Sequence, residues 1–305
     1  MEIIKHIVES QQFDRASLSE LFDLADKMRI DASPYRLPGK ILATIFYEPS
    51  TRTRLSFESA MLKLGGSVIS TESAKEFSSV SKGESLEDTI KIISQYADII
   101  ALRHYEIGAA KSAAAVSPIP IINAGDGAGQ HPTQALLDLY TIQRHFEEID
   151  GLTICMVGDL RYGRTVRSLC YFIGRFFRNV KLLFVAPKVC RMAWDIREFL
   201  EENNVSYAEE DDLEKALRQS DCIYMTRVQK ERFLDMTRYE NANNKYKIDS
   251  ESLQNIKENA IVMHPLPRLN EISSDIDDDP RMIYFEQAAN GLWIRMALIH
   301  KCIGS

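Results

Sequence analysis

The sequence lacks the cysteine patterns of secreted domains, zinc sites and thiol redox enzymes. It has five cysteines among 305 residues, all at least 15 positions apart, and no CxxC pair. Disulfide-rich domains need paired cysteines at close spacing, and zinc or thioredoxin-like sites usually need CxxC. An odd and scattered set indicates buried thiols in a reducing compartment. We therefore expect neither a disulfide framework nor a metal site.

Long apolar runs and an excess of basic residues are also missing. Charges interrupt the N-terminal stretch MEIIKHIVESQQFDR too early for the apolar core of a signal peptide. No segment approaches the ~18 consecutive apolar residues of a membrane span. The net charge of −7 argues against a nucleic-acid surface, but not against a local cluster of arginines that binds a small anion. We expect a cytoplasmic protein with no nucleic-acid or membrane partner.

The sequence does contain a regular alternation of short apolar segments and amphipathic segments. Apolar residues make up 45% and charged residues 27% of the chain, as in globular proteins, and the length suits two domains. The alternation predicts an α/β protein with two doubly wound parallel sheets. The predicted strands are Ile41–Tyr47, Ser67–Ser70, Asp98–Leu102, Pro120–Asn123, Leu152–Gly158, Lys181–Val185, Asp221–Thr226 and Ala260–Met263.

A helical pattern through Ala135, Leu139, Ile142 and Phe146 separates these strands into two groups of four. We place the domains at 1–134 and 135–285. The periodicity of 286–305 also predicts a helix, and the pattern alone leaves its partner open; we expect it to return to the first domain. The serine-rich segment 71–85 has few apolar residues, which is typical of a functional or disordered loop.

Polar residues follow the predicted strands, where open α/β sheets bind their ligands. Five arginines lie at these strand ends and together indicate a polyanionic ligand: Arg52, Arg103, Arg164, Arg227 and Arg268. The segment Ser50–Thr53 joins a strand to a helix, so its backbone N–H groups and hydroxyls suit an anion. The plainer interpretation is that Ser50 only caps the helix. His131 and Gln134 lie at a second helix start, where His131 could cap or could polarise a carbonyl.

A competing motif lies in the second half of the chain. The segment GDLRYGRT (158–165) differs from the phosphate-binding GxxxxGK[ST] loop only by arginine in place of lysine. A nucleotide-binding enzyme therefore remains an alternative. It would leave the first-half cluster without a role, and arginine does not act as the compact point charge that lysine provides there.

Seven segments together resemble the aspartate transcarbamoylase family, in the family's order and over nearly the whole chain. They are FYEPSTRTRLSFE (46–58), SVSKGESLEDT (79–89), LRH (102–104), NAGDGAGQHPTQALLDLYT (123–141), VGDLRYGRTVRS (157–168), YMTRVQKER (224–232) and MHPLPRLNEI (263–272). STRTR and HPxQ occur across transcarbamoylases, including the ornithine enzymes. GRTVRS, TRVQKER and HPLP resemble the aspartate branch.

The resemblance implies transfer of a carbamoyl group from carbamoyl phosphate to L-aspartate, for pyrimidine biosynthesis, in an active site within the cleft between two domains. It implies no cofactor. The residues that it assigns to carbamoyl phosphate are Ser50, Thr51, Arg52, Thr53, Arg103, His131, Gln134, Pro265, Leu266 and Pro267. Among these, Thr53, Arg103 and His131 would polarise the carbonyl oxygen and are the expected catalytic residues.

The aspartate carboxylates would bind Arg164, Arg227 and Gln229. Lys82 would reach the active site of a neighbouring subunit, which implies a homotrimer with shared sites. Some members of the family also bind a regulatory chain. An inactive homologue that serves as a scaffold is a further alternative.

Two positions depart from the usual pattern. Arg167 stands where the family commonly has histidine, and Asn270 stands where it has aspartate. We expect Arg167 to add a cation near the aspartate pocket. The asparagine removes a possible ion partner of Arg268.

Overall fold

The computed structural model describes residues 5–72, 83–228 and 246–304. The α-helices in these ranges are α1 Arg15–Ile30, α2 Thr51–Lys63, α3 Leu86–Ile93, α4 Ala109–Val116, α5 Pro132–Phe146, α6 Arg164–Phe176, α7 Trp194–Glu202, α8 Leu213–Gln219 and α9 Tyr284–Ile303. The strands are β1 Ile41–Phe46, β2 Ser67–Glu72, β3 Ile99–His104, β4 Ile121–Asp126, β5 Thr153–Val157, β6 Lys181–Val185, β7 Ser206–Glu209, β8 Cys222–Met225 and β9 Ile261–Met263.

The first sheet is parallel throughout and has the order β2-β1-β3-β4. Its central strands β1 and β3 are buried almost along their whole length, as expected for strands with helices on both faces. Helix α2 packs Phe57, Ala60 and Met61 in full burial, which is the i, i+3, i+4 face seen in the sequence. It ends before Gly65, whose φ of +78° lets the chain reverse toward β2.

The second sheet is also parallel and has the order β7-β6-β5-β8-β9. Its core includes Val157, Ile223 and Val262 from three adjacent strands, all fully buried. Helix α8 contributes Leu217 to the same core. The two parallel sheets confirm the predicted α/β class.

The prediction of four strands in the second sheet is wrong, because β7 adds a fifth. β7 is a short edge strand whose residues are mostly exposed, so it carries no apolar alternation to identify it. The eight predicted strands are all present, with small differences at their ends. β3 continues to His104, which places Arg103 inside the strand rather than after it.

The chain divides into two compact units. Unit one contains the residues up to Tyr140 and those from Ala289 onward, and unit two contains Thr141–Ala288. The division thus falls within α5, beyond the position at residue 134 that we infer from the sequence. The second division falls within α9, so that most of this last helix belongs to unit one.

All five cysteines are buried as free thiols. Four of them, Cys155, Cys170, Cys190 and Cys222, belong to unit two, and Cys302 belongs to unit one. Burial raises the pKa of Cys155, Cys190 and Cys302 to about 12. In the ranges that the structure describes, no helix is long and apolar enough to cross a membrane.

Candidate active site

The carboxyl ends of β1, β3 and β4 lie side by side at one edge of the first sheet, because these strands are parallel neighbours. In the register, Phe46 at the end of β1 pairs with Arg103 of β3. This edge brings together the unit-one residues that the sequence predicts for the site: Ser50, Thr51, Arg52, Thr53, Arg103, His131 and Gln134.

The segment after β1 is a helix start, as predicted. Ser50 is the N-cap of α2, and its carbonyl accepts from the N–H of Arg54 at 3.0 Å. The first turn of α2 carries no acidic residue, and within the described part of the chain the Ser50 hydroxyl makes no capping hydrogen bond. Thr53 is buried, whereas Thr51 and Arg52 are exposed. Ser50 thus occupies the N-cap position without capping through its hydroxyl, and the helix start presents N–H groups, hydroxyls and a cation together.

Arg54, two residues further on, has a structural role. Its guanidinium lies 3.2 Å from Glu58 and 3.1 Å from Glu72. The carboxylate of Glu58 also accepts from the hydroxyls of Thr44 and Ser70, at 3.0 and 2.6 Å. This network ties α2 to β1 and β2, so Arg54 supports the turn on which Arg52 lies.

Arg103 lies at the centre of the edge, and its side chain is only 12% exposed. Its guanidinium donates to the carbonyl of Ala124 at 3.5 Å and lies 3.6 Å from the carboxylate of Glu48. These are long contacts for a buried cation, since charged hydrogen bonds are usually nearer 2.8 Å. Arg103 thus reaches from β3 both to β4 and to the segment after β1.

His131 and Gln134 lie at the start of α5, which begins at Pro132 as predicted. His131 is 4% exposed, and its Nδ1 lies 3.4 Å from the hydroxyl of Thr133. The backbone N–H of Gln134 donates to the His131 carbonyl at 3.0 Å, so the two side chains belong to one turn. The side-chain NH₂ of Gln134 donates to Asp138 at 2.9 Å.

In unit two, the strands β5, β8 and β9 are also parallel neighbours. Arg164 is the first residue of α6, after β5, and Arg227 follows β8. Pro265, Leu266 and Pro267 follow β9. The structure thus brings the predicted unit-two residues to one sheet edge, except Gln229, which lies outside the described residues together with Lys82 of the serine-rich segment.

The turn after β5 is fixed by a close contact with the end of β8. Gly158 has φ +107°, and a Cβ there would lie 2.1 Å from the carbonyl oxygen of Thr226. The hydroxyl of Thr226 donates to the Val157 carbonyl at 2.7 Å and accepts from the N–H of Asp159 at 3.1 Å. Glycine is therefore required at 158, and the contact sets the starting points of the segments that carry Arg164 and Arg227.

The same turn does not have the features of a phosphate-binding loop. Asp159 is 1% exposed, and its carboxylate accepts from the backbone N–H of Tyr162 at 3.1 Å. A phosphate loop needs its N–H groups free for the anion, and a buried carboxylate would repel that anion. The structure thus gives no support to the nucleotide-binding alternative.

The turn after β9 is held by His264, which is 2% exposed. Its Nδ1 accepts from the N–H of Leu266 at 2.7 Å, and its Nε2 donates to Glu271 at 2.9 Å. Burial alone would raise the pKa of Glu271, but hydrogen bonds from His264 and from backbone N–H groups outweigh it and lower the pKa. Leu266 has φ +53°, and the Leu266–Pro267 peptide is cis. His264 therefore fixes the three carbonyls predicted to face the substrate.

Two further arginines of unit two are bound by protein carboxylates. Arg268 pairs with Asp277 and donates to the hydroxyl of Tyr284 at 2.6 Å. Arg167 pairs with both oxygens of Asp195, at 3.2 and 2.5 Å. Arg268 thus has a protein carboxylate as its partner, and Asp277 is the ion partner that Asn270 does not supply. The cation expected at Arg167 is largely neutralised by Asp195.

Two acidic residues that the sequence motifs do not indicate lie next to the site, Glu48 and Asp138. Glu48 precedes the STRTR motif and lies against Arg103. Asp138 follows Gln134 by one helical turn and is fully buried. The sequence feature that could have identified Asp138 is a charged residue on the apolar face of a predicted helix. Among the residues that the structure describes, no group of three or more histidine, cysteine or acidic side chains is arranged to hold a metal ion.

Two family models match this chain. Residues 5–144 match the carbamoyl-phosphate-binding domain, and residues 150–302 match the aspartate/ornithine-binding domain, of aspartate/ornithine carbamoyltransferases. Aspartate carbamoyltransferase 1, chloroplastic, of Pisum sativum is 53% identical over 298 residues, which are 96% of this chain and 77% of the relative.

Two solved structures are similar over the whole chain. The catalytic subunit of M. jannaschii aspartate transcarbamoylase has a TM-score of 0.91 and 50% identity, with 98% of each chain covered. Aspartate transcarbamoylase of Trypanosoma cruzi in complex with carbamoyl phosphate and aspartate has a TM-score of 0.91 and 40% identity. That match covers 97% of this chain and 96% of the other.

Proposed function

This chain belongs to the aspartate/ornithine carbamoyltransferase family and catalyses its aspartate reaction, and we propose that its two substrates bind to residues at two sheet edges. The reaction transfers the carbamoyl group of carbamoyl phosphate to the amino group of L-aspartate. Its products are N-carbamoyl-L-aspartate, which would enter pyrimidine synthesis, and phosphate. The observation that carries the proposal is the meeting of Arg103, the Ser50–Thr53 helix start and the His131–Gln134 turn at one sheet edge of unit one.

Unit one would bind carbamoyl phosphate. The N-terminal turn of α2 offers backbone N–H groups, the hydroxyls of Ser50, Thr51 and Thr53, and the Arg52 cation to the phosphate. Arg103 would contact both the phosphate and the carbonyl oxygen. The carbamoyl NH₂ would donate to Gln134 and to the backbone carbonyls of Pro265, Leu266 and Pro267.

Unit two would bind L-aspartate through Arg164 and Arg227, with Gln229. Guanidinium groups bind carboxylates in pairs of parallel hydrogen bonds, and aspartate brings two carboxylates. Ornithine has only one carboxylate and a second cationic group, which two arginines would repel. This charge pattern supports aspartate as the acceptor substrate.

The chemistry is an acyl transfer. The amine of aspartate attacks the carbonyl carbon, a tetrahedral oxyanion forms, and the C–O bond to phosphate breaks. Thr53, Arg103 and His131 would stabilise the oxyanion, and each such donor contributes about 3–4 kcal/mol in related reactions. The departing phosphate is a suitable acceptor for the amine proton. The mechanism as proposed uses no cofactor.

We also propose a catalytic homotrimer in the cytoplasm. Lys82 of one subunit would complete the aspartate site of its neighbour, as the family resemblance implies. The five cysteines are buried and form no disulfide, which supports a reducing compartment.

The activity is tested by incubation with carbamoyl phosphate and each candidate acceptor. We expect carbamoyl aspartate and phosphate to form with L-aspartate, and no carbamoylated product with ornithine. ATP should neither be hydrolysed nor bind in calorimetry. Product with ornithine would reassign the acceptor, and no product with either amine would support an inactive homologue.

A further inference from the structure

A carboxylate lies one helical turn beyond Gln134 and contacts it. The side-chain Nε2 of Gln134 donates to Oδ1 of Asp138 at 2.9 Å, and Asp138 is 0% exposed. An amide has a donor end and an acceptor end, whereas an ionised carboxylate only accepts. Asp138 therefore holds the NH₂ end of Gln134, and the carbonyl oxygen Oε1 is the end left for other partners.

Asp138 is in turn influenced by a buried arginine of α9. Arg295 is 3% exposed; burial lowers its pKa to about 10, and the charge of Asp138 opposes that shift. The guanidinium lies 5.1 Å from the ring centre of Phe57, in a cation–π contact. A Cβ on Gly291 would lie 2.3 Å from Nη1 of Arg295, so the glycine leaves room for the cation. The Arg295 cation and Asp138 thus attract each other.

These buried charges are difficult to explain by stability alone. Buried ion pairs recover little more than their desolvation cost, and apolar residues of similar volume often stabilise a protein as well or better. A cation–π contact links Arg295 of α9 to Phe57, and an electrostatic attraction links it to Asp138. Phe57 belongs to α2, which carries the Ser50–Thr53 turn, and Asp138 belongs to α5, which carries His131 and Gln134.

We propose that Asp138 is a positioning residue that turns the carbonyl oxygen of Gln134 toward the carbamoyl nitrogen of the substrate. The proposal rests on the proposed function, in which Gln134 binds that nitrogen. The carbamoyl NH₂ is a donor, so it gains from Oε1 but would be opposed by the NH₂ end of a reversed amide. Asp138 thereby favours carbamoyl phosphate over acetyl phosphate, which has a methyl group in place of the NH₂.

The test is the substitution Asp138→Asn with both ligands. The oxygen of the new amide would be drawn to the Arg295 cation, leaving its NH₂ to face Gln134, whose own amide would then reverse. We expect the affinity for carbamoyl phosphate to fall about tenfold, the effect of one hydrogen bond. The affinity for acetyl phosphate should stay within about twofold, since its methyl group uses no acceptor. The KM for aspartate should not change.

A matched control is Asp26→Asn. Asp26 lies on α1 and accepts from the hydroxyl of Tyr140 on the same helix α5, at 2.6 Å. This variant removes a charge that holds α5 but lies outside the Gln134 contact. It should leave the ratio of the two affinities unchanged.

A double-mutant cycle separates positioning from general damage. Gln134→Ala should itself weaken the binding of carbamoyl phosphate more than that of acetyl phosphate. Adding Asp138→Asn to this variant should not change the ratio of the two affinities further. If Asp138→Asn does not fold, the double variant Asp138→Asn/Arg295→Gln removes both charges. Neither end of the Gln134 amide is then favoured, so the affinity for carbamoyl phosphate should still fall relative to that for acetyl phosphate, but by less than about tenfold.

The proposal is overturned if the Asp138 variants lose equal affinity for both ligands. It is also overturned if the effects of the two substitutions on the affinity ratio add in the cycle. So does a Gln134→Ala variant that binds carbamoyl phosphate normally. Failure of the unmodified protein to carbamoylate aspartate would refute the proposed function instead, and the two failures are therefore distinguishable.

Discussion

Arg103 and Arg54 are both partly buried arginines near one sheet edge, yet their surroundings assign them different work. Two carboxylates lie within 3.2 Å of Arg54, and the carboxylate of Glu48 lies 3.6 Å from Arg103. Arg54 thus has its charge balanced by the protein at close range. Arg103 lies at the end of β3, beside the end of β1, where we propose that carbamoyl phosphate binds.

Arg103→Ala should lower kcat by at least ~10²-fold, because it removes a donor to the oxyanion of the transition state. Arg54→Ala is the control: it should keep kcat within a few-fold and lower the unfolding free energy by about 1 kcal/mol. Steady-state kinetics and urea unfolding of both variants provide the comparison. An unchanged kcat in Arg103→Ala would remove this residue from the chemistry.

A second residue-scale prediction concerns the pairing of Asp277 with Arg268. The hydrogen bond from Arg268 lowers the pKa of Asp277, against an opposing effect of burial. A lowered folded-state pKa gives stability that is present above the unfolded value of about 3.9 and is lost as pH falls through the folded value. Asp277→Asn should therefore cost about 1–3 kcal/mol at pH 7, and the difference from the unmodified protein should shrink at about pH 3.

Urea unfolding at both pH values measures this difference. The matched control is Asp278→Asn, which changes the next residue, an exposed one, and should cost little at either pH. A gap between Asp277→Asn and the unmodified protein that widened in acid would contradict the assignment.

At the scale of elements, the β5 turn illustrates how one contact fixes two functional segments. Gly158 and Gly151 both have positive φ, +107° and +86°, but only Gly158 has a neighbour in the way of a Cβ. Gly158→Ala should cost at least ~3 kcal/mol through backbone strain together with the clash, and Gly151→Ala only ~1 kcal/mol through strain. Thermal unfolding tests the difference. Equal costs would show that the turn can shift away from Thr226.

Elements also differ in how well the sequence predicts them. Buried strands such as β1, β5 and β8 are apolar runs bounded by polar residues, whereas β7 is mostly exposed and lies at the edge of its sheet. The helix starts at Ser50 and Pro132 follow from local rules of capping and proline placement. Local rules therefore predict the buried strands of both sheets and the helix starts on which the site residues lie.

Pairing between distant residues could not be predicted in this way. The sequence places Arg268 at a strand end like the other four arginines, but the partner that occupies it, Asp277, lies on a later turn. Arg295 and Asp138 are far apart in sequence, and each alone is only a charge in an apolar helix. Which cations remain available for a ligand depends on the tertiary fold.

At the scale of the whole molecule, a shared active site would make the activity a property of the assembly. Lys82→Ala and Arg52→Ala should each be nearly inactive. After dissociation, mixing in equal amounts and reassembly, a complete site forms wherever a chain with Arg52 receives Lys82 from its neighbour. Random rings make that about one site in four, so roughly a quarter of the activity should return. If hybrid rings form without any recovery, Lys82 does not act across subunits.

The buried cysteines can report the local unfolding of each unit separately. A maleimide or disulfide reagent attacks the thiolate, and thiols this deeply buried, with pKa values raised to about 12, are inert until the chain around them opens. Labelling of Cys302 would then report the opening of unit one, and labelling of Cys155 and Cys190 that of unit two. Mass spectrometry after brief labelling, with carbamoyl phosphate present or absent, would show in which unit this substrate suppresses local unfolding. The experiment needs no substitution.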